Sequence, residues 1–246
     1  MVVVAPHPDD ETVGVGGVMA MHAMAGDVVS AVVVTDGGAS RAGGWSRADM
    51  VARRECELQS AAEILGVKHL ACLRLPEGHW EAAEAERHLA PLLVDAHLIY
   101  APSCVDYHPE HMGVARVVAN LVRPCQTVRI YEVGVPLTPV LANLVADIRS
   151  VATRKASALA VFTTQMATIA PLQRLSRYRS RLYGLSAVEV YWETCAEAYV
   201  DVIAAGDWSG RACPYRGITP RPTDDPFSAL AGLGARAALR AVAARH

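Results

Sequence analysis

Met1-Val2-Val3-Val4-Ala5-Pro6-His7-Pro8-Asp9-Asp10-Glu11 decides how this chain is read. Val2, Val3, Val4 and Ala5 form a short, β-branched, apolar run suited to a buried strand. The five residues after Pro6 carry an imidazole and three carboxylates. At the carboxyl end of a buried parallel strand, side chains project into the crevice where open α/β sheets bind ligands. Three carboxylates gathered there repel one another, and a divalent cation is the simplest remedy. A helix start accounts for the same residues in another way, because Asp10 and Glu11 suit a first helical turn. A second half-site elsewhere in the chain would decide between the two.

Downstream, residues 11–25 are apolar nearly all round and rich in glycine, as in a helix packed closely on a sheet. Gly14-x-Gly16 is not a dinucleotide fingerprint, since Met19 stands where the third glycine belongs and HPDDE fills the preceding turn. Residues 28–35 read as a second buried strand ending in Asp36-Gly37-Gly38, with a polar, glycine-rich loop to about Ser46. Residues 47–65 read as a long helix with Val51, Cys56, Leu58, Ala62 and Leu65 on its apolar face. Arg54 and Glu57 on that helix are spaced to pair. Residues 68–75 form a third strand ending in Pro76-Glu77-Gly78, residues 81–94 a helix, and residues 95–102 a fourth strand. This alternation predicts a Rossmann-like three-layer α/β/α fold. Its sheet is mainly parallel, and its site lies at the carboxyl ends of the strands.

The loop after the fourth strand holds a second dense cluster, Asp106-Tyr107-His108-Pro109-Glu110-His111, followed by helical residues 112–122. His108 and His111 bracket that helix start, three residues apart. Residues 128–135 read as a fifth strand, 139–186 as mainly helical with arginines at 174, 177, 179 and 181, and 197–203 as a final strand. The main domain is expected over residues 1–206. Beyond it, Pro214, Pro220, Pro222 and Pro226 interrupt a polar stretch, and residues 227–246 read as an alanine- and arginine-rich helix, an appendage of the same domain.

Composition narrows the function classes. Hydrophobic residues make up 52% of 246, which marks a folded globular chain. A net charge of −2 argues against nucleic acid as the main partner and provides no membrane-binding patch. No apolar run reaches the roughly 18 residues of a spanning helix. The first residues lack the basic and long apolar regions of a signal peptide. Cys56, Cys72, Cys104, Cys125, Cys195 and Cys213 include no CxxC pair and read as buried free thiols, which with the missing signal points to the cytoplasm. Self-association into a homo-oligomer is compatible with all of this.

Brought to one sheet edge, the two clusters supply two histidines and a carboxylate, the ligand set of a catalytic zinc with positions open to water and substrate. The surplus groups have work to do as well. One carboxylate can bind metal while its neighbour takes a proton from water, and one histidine can ligate while the other meets a developing oxyanion. The combination suits hydrolysis of an amide or ester.

HPDDE after a short first strand, TDGG after the second, Arg54-x-x-Glu57 with Leu65-Gly66-Val67 eight residues beyond the glutamate, and a later HPEH together resemble the PIG-L/LmbE-like deacetylases. The resemblance is close over residues 2–120, with a looser echo at Ala196-Glu197-Ala198-Tyr199. It implies one zinc per chain, with iron(II) suited to the same ligands, held by His7, Asp10 and His111. Asp9 would be the general base. His108, protonated, would stabilise the oxyanion or help the amine leave. Arg54 would reach the sugar or its phosphate-bearing neighbour, and Asp106, where some relatives have tyrosine, would lie at the substrate. Glu110 replaces the aspartate of the usual HPDH, and Gly38 the glutamate of TDGE.

The implied substrate is a small-molecule N-acetylglucosaminyl conjugate that loses its acetyl or another short acyl group. The absence of a spanning segment counts against a membrane glycolipid, and the unusual residues 136–246 suggest a glycosylated natural product such as an antibiotic intermediate. An amidase taking a bulkier acyl group or a sugar-thiol conjugate, and a sugar-binding protein without chemistry, are the competing functions. The second would show loss of a ligand or base, and none is lost here.

Overall fold

The computed structural model describes residues 1–106, 108–205 and 233–246. Its sheet has seven strands in the order β3-β2-β1-β4-β5-β7-β6. Strands β1 (Val2–Ala5), β2 (Ser30–Thr35), β3 (His69–Leu75), β4 (Leu98–Pro102) and β5 (Thr127–Tyr131) run parallel. Strand β7 (Val188–Cys195) is antiparallel to β5 and to β6 (Leu144–Asp147). The parallel strands alternate with helices α1 (Asp10–Met24), α2 (Arg47–Leu65), α3 (Ala82–Leu93) and α4 (Pro109–Leu121). The rest of the chain adds α5 (Thr138–Leu141), α6 (Ala152–Ala160), α7 (Met166–Leu182), α8 (Ala196–Ala205) and α9 (Leu233–Ala243).

Strand periodicity sorts the core into two layers. Val2 and Val4 join one cluster with Leu89, Val114, Val118, Tyr199 and Val202 from α3, α4 and α8. Val3 and Ala5 join the other with Val15, Met19, Leu58, Leu65 and Leu159 from α1, α2 and α6. The three-layer α/β/α arrangement is therefore present, and β1 sits at the centre of the sheet with β2 and β4 on either side. Because β1 leads leftward to β2 and β3 while β4 and β5 extend to its right, the strand order reverses beside β1, where such sheets form a ligand crevice.

The second half corrects the sequence reading. Residues 197–203 lie in helix α8, not in a final strand. Ala198, Tyr199, Val202 and Ile203 are buried, and their spacing of one, three and one is one face of a helix despite the β-branched content. Among the described residues the last strand is β7, over VEVYWETC, and β6 interrupts the stretch 139–186 expected to be mainly helical. Cysteines also depart from expectation: Cys104 is buried, but Cys56, Cys125 and Cys195 are exposed, so Cys56 does not lie on the apolar face of α2.

The predicted helix 227–246 is described from residue 233, and the proline-rich stretch, Cys213 and the 206/207 boundary lie outside the described residues, as does Tyr107. Helix α9 docks on the fold: Leu239 is buried in the α3/α4/α8 layer, and Arg240 donates to Val140 O at 2.6 Å.

Helix α1 comes unusually close to the sheet. A Cβ on Gly14 would lie 2.3 Å from Tyr131 Cδ2, so only glycine permits the contact. Glu189 reaches across from β7 to accept the amides of Gly17 (2.6 Å) and Val18 (2.8 Å). In a regular helix these amides donate to Val13 O and Gly14 O. Those carbonyls accept instead, or in addition, from Lys155 Nζ (2.7 Å) and Tyr191 OH (3.3 Å). Lys155 and Glu189 pair at 2.6 Å, closing a buried network within the helix that carries the acidic cluster at its start.

Candidate metal centre

His7 follows β1 directly, and the turn 7–9 delivers Asp10 to the first position of α1. Asp10 Oδ2 folds back onto His7, accepting its backbone amide at 3.0 Å and lying 3.0 Å from its Nδ1. His111, in the first turn of α4, places Nε2 3.3 Å from the same oxygen. Donors about 2.0–2.1 Å from a tetrahedral zinc stand about 3.3 Å apart, and the distances of Asp10 Oδ2 from His7 Nδ1 and from His111 Nε2 are of that size. All three side chains are buried. His108 also brings a ring nitrogen within 4.8 Å of one on His7 and one on His111, so the three histidines form a group that could hold a metal ion.

The histidines differ in what holds them. His111 Nδ1 is 3.0 Å from Asp106 Oδ2, the carboxylate–histidine arrangement that orients a ligating imidazole. Burial disfavours the charged His111, but Asp10 and Asp106 outweigh it and raise its pKa well above the ordinary value. Asp10 is the converse: burial opposes ionisation, yet His111 and His7 hold its carboxyl well below the usual range. His108 caps α4, its Nδ1 accepting the Glu110 amide at 3.3 Å, which leaves Nε2 to carry the proton of the neutral ring. Burial, with His7 and His111 nearby, lowers its pKa. The geometry therefore favours a neutral hydrogen-bond donor over the imidazolium that the resemblance implies.

Asp9 takes a separate position. Its φ of 141° is a left-handed conformation that a non-glycine residue rarely adopts, with a strain of order 1–3 kcal/mol. Glu11 Oε2 accepts its amide (3.2 Å), and Val13 donates to its carbonyl (2.8 Å). Burial raises the Asp9 pKa well above the usual range; Arg54 works against this, while Asp10 and Glu11 reinforce it.

Arg54, expected to reach the sugar, lies against the HPDDE turn. It is 4% exposed, and its guanidinium donates to Pro8 O (2.7 Å) and Gly37 O (3.1 Å) and lies 3.2 Å from Asp9 Oδ1. These contacts tie α2 to the HPDDE turn and to Gly37, with Asp9 directly beside the guanidinium. Gly37 makes room for it, since a Cβ there would approach the guanidinium to 2.7 Å. Nor does Arg54 pair with Glu57, which accepts from Thr163 and Thr164. Asp106, expected at the substrate, is buried against His111 and accepts the His108 amide (3.1 Å).

Two glutamates complete the surroundings. Glu77 Oε1 lies 3.6 Å from His7 Nε2, and its other oxygen accepts the Ala39 amide at 2.9 Å. It was not among the site residues read from the sequence. Its position at the end of β3, on the same edge as HPDDE, was the available signal. Glu110 accepts from the Gly78 amide (2.7 Å) and from Trp80 Nε1, tying α4 to the loop after β3. The change from the usual aspartate thus serves a loop contact away from the histidines.

With this geometry established, comparison with known proteins gives a consistent family. Residues 2–122 match the family model described as "PIG-L: GlcNAc-PI de-N-acetylase". No curated protein matches the chain. Among solved structures, the N,N'-diacetylchitobiose deacetylase of Pyrococcus horikoshii aligns over 80% of this chain and 84% of its own at 19% identity, with a TM-score of 0.70. The 4-carboxy-2-hydroxymuconate hydratase GalB of Pseudomonas putida covers 78% and 94% at 20% identity (TM-score 0.66). The A40926 pseudoaglycone deacetylase Dbv21 covers 79% and 97% at 17% identity (TM-score 0.62). At such identities these likenesses establish the shared fold, whereas the family rests on the HPDDE-to-HPEH half. It is over residues 2–122 that this chain matches the PIG-L family.

Proposed function

We propose that this protein is a metal-dependent N-deacetylase that removes an acetyl or other short acyl group from an N-acetylglucosamine-bearing small molecule. The observation that carries the reading is the convergence of His7 Nδ1, Asp10 Oδ2 and His111 Nε2 at ligand spacing beside a second, separately held carboxylate, Asp9. The family description and the deacetylases of similar fold support it. Zinc is the ion we assign, and iron(II) suits the same donors. When bound, the ion supplies a Lewis acid for the amide carbonyl and lowers the pKa of water towards about 7.

Asp9 is the base. Its raised pKa lies closer to working pH than that of an ordinary carboxylate, so it takes and returns a proton more readily. Arg54 works against that rise from beside one oxygen, Oδ1, of the Asp9 carboxylate. His108, donating from Nε2, is placed beside His7 and His111 to hydrogen-bond the developing oxyanion or the departing amine. No helix among the described residues is long and apolar enough to cross a membrane. With the described cysteines all free, we place the enzyme in the cytoplasm and favour a glycosylated natural-product intermediate over a membrane glycolipid.

Incubating the metal-loaded protein with a panel of N-acetylglucosaminides, glycosylated antibiotics included, and assaying free amine tests the proposal. Asp9→Asn is expected to retain metal while losing turnover about 100-fold or more; His111→Ala is expected to lose the metal as well. Release of a long acyl group in preference to acetyl would identify the related amidase. Absence of amine from every substrate, with water added to an unsaturated acid instead, would refute the proposal and point to hydratase chemistry on the same fold.

A further inference from the structure

A cavity of about 320 Å³ opens between α1, α6 and α7, lined also by Glu132, Ile148 and the start of β7. None of His7, Asp9, Asp10, His108 and His111 lines it. Its volume is at the small end of the range for small-molecule sites, about 300–1,000 Å³. Val13, Ile148, Leu159, Ile169 and Leu172 contribute aliphatic side chains to its lining. The wall's internal charges are closed on themselves: Lys155 pairs with Glu189 and Arg179 with Glu132. Burial lowers the Arg179 pKa to about 10, so it remains a cation at neutral pH and keeps that pairing. Arg177 differs. It lines the cavity, is exposed, and has no ion-pair partner among the described residues. Arg174 and Arg181, one turn away on either side of α7, are also exposed and likewise unpaired among the described residues. The uncompensated charge at the mouth is thus positive, while the interior offers apolar surface worth about 25 cal/mol for each Å² it buries.

We propose that this cavity is a second ligand site, for a medium-chain anionic amphiphile whose aliphatic chain lies along Ile148, Leu159, Ile169 and Leu172 and whose carboxylate or phosphate head meets Arg177. The proposal does not rest on the reading of the metal centre. A wholly polar ligand would be desolvated against this aliphatic lining without compensation. A neutral chain would forgo the cation at the mouth, where opposite charges at the surface still attract. The wall is also joined to the rest of the protein: Lys155 and Glu189 hold the middle of α1, and Glu132 accepts the Leu137 amide at 2.7 Å.

Calorimetric titration of the full chain with decanoate, decyl phosphate and decanol is the test. Saturable one-to-one binding of either anion, with decanol at least tenfold weaker, is expected. Arg177→Glu should weaken the anions tenfold or more and leave decanol unchanged. Ala152→Trp, which fills the cavity from the start of α6, should abolish binding, with Leu172→Trp in its place should the first variant fail to fold. His7→Ala should bind the anions as the parent does. Anion binding that survives both tryptophan variants, that disappears in His7→Ala, or that is matched by decanol would overturn the proposal.

Discussion

Replacing Arg54 with methionine separates the two roles available to that residue. The substitution keeps most of the buried volume but removes the donors to Pro8 O and Gly37 O and the cation 3.2 Å from Asp9 Oδ1. Removing one partner of a buried ion pair costs about 3–5 kcal/mol, because the remaining charge is stranded. That cost depends on pH with a definite sign. The Asp9 pKa is already raised in the folded state, by burial above all, and loss of the guanidinium raises it further. A carboxyl with a raised folded pKa contributes its stability fully below the unfolded value and loses it as pH rises through the folded value. The variant should therefore be about 3–5 kcal/mol less stable at pH 8. Near pH 4, where Asp9 is protonated, the loss should shrink to the two carbonyl hydrogen bonds, at about 1 kcal/mol each. Urea denaturation across this range, with chelator present throughout to remove linkage to metal, measures it. The acid limb of the pH–rate profile should also move to higher pH at nearly constant KM. A stability loss independent of pH, or a raised KM with an unmoved acid limb, would refute the positioning role and return Arg54 to the substrate.

Glu11 is a second pH-dependent element: burial pushes its pKa from 4.5 to about 7, so its contribution is complete below about pH 4.5 and lost as pH rises through 7. Glu11→Gln should flatten stability over that window, a difference on the order of 3 kcal/mol by denaturant unfolding. Glu110→Ala leaves the Gly78 amide and Trp80 Nε1 without their acceptor. It should cost about 2–4 kcal/mol, seen as a lowered Tm, while metal content by elemental analysis stays at the parent level. Glu189→Leu strands the buried Lys155 and should cost about 3–5 kcal/mol, and adding Lys155→Met should restore part of it in a double-mutant cycle.

Most of the amino-terminal half was legible because local pattern and global fold agree there. Strands β1 to β4 are short apolar runs punctuated by glycine, proline or acidic turns, and they alternate with helices, of which α2 carries ordinary signals at both ends. Ser46 caps α2 by accepting from Asp49 N, and Gly66 in the left-handed conformation ends it, so residues 47–65 matched the helix to the residue. Past β5 that agreement fails. Residues 197–203 are rich in β-branched and aromatic side chains, yet only burial against α4 and α9 shows that their apolar set forms one helical face. Strand β7 carries Glu189, Glu193 and Trp192, a mixture that resembles a surface segment until Glu189 is seen buried against α1 and Lys155.

The same boundary runs through the site. The sequence by itself determined which residues gather there: a strand-end motif and a helix-start motif are local, and parallel topology brings their ends to one edge. Only the tertiary structure decided where each side chain turns and what it meets, because direction and partners depend on residues far along the chain. Asp10 turns to His7 and His111 while Asp9 turns to Arg54, which arrives from α2 through the gap left by Gly37. Asp106 and Arg54, both placed at the substrate by their motifs, are drawn inward because buried charges must find partners, and His111 and Asp9 are the ones within reach.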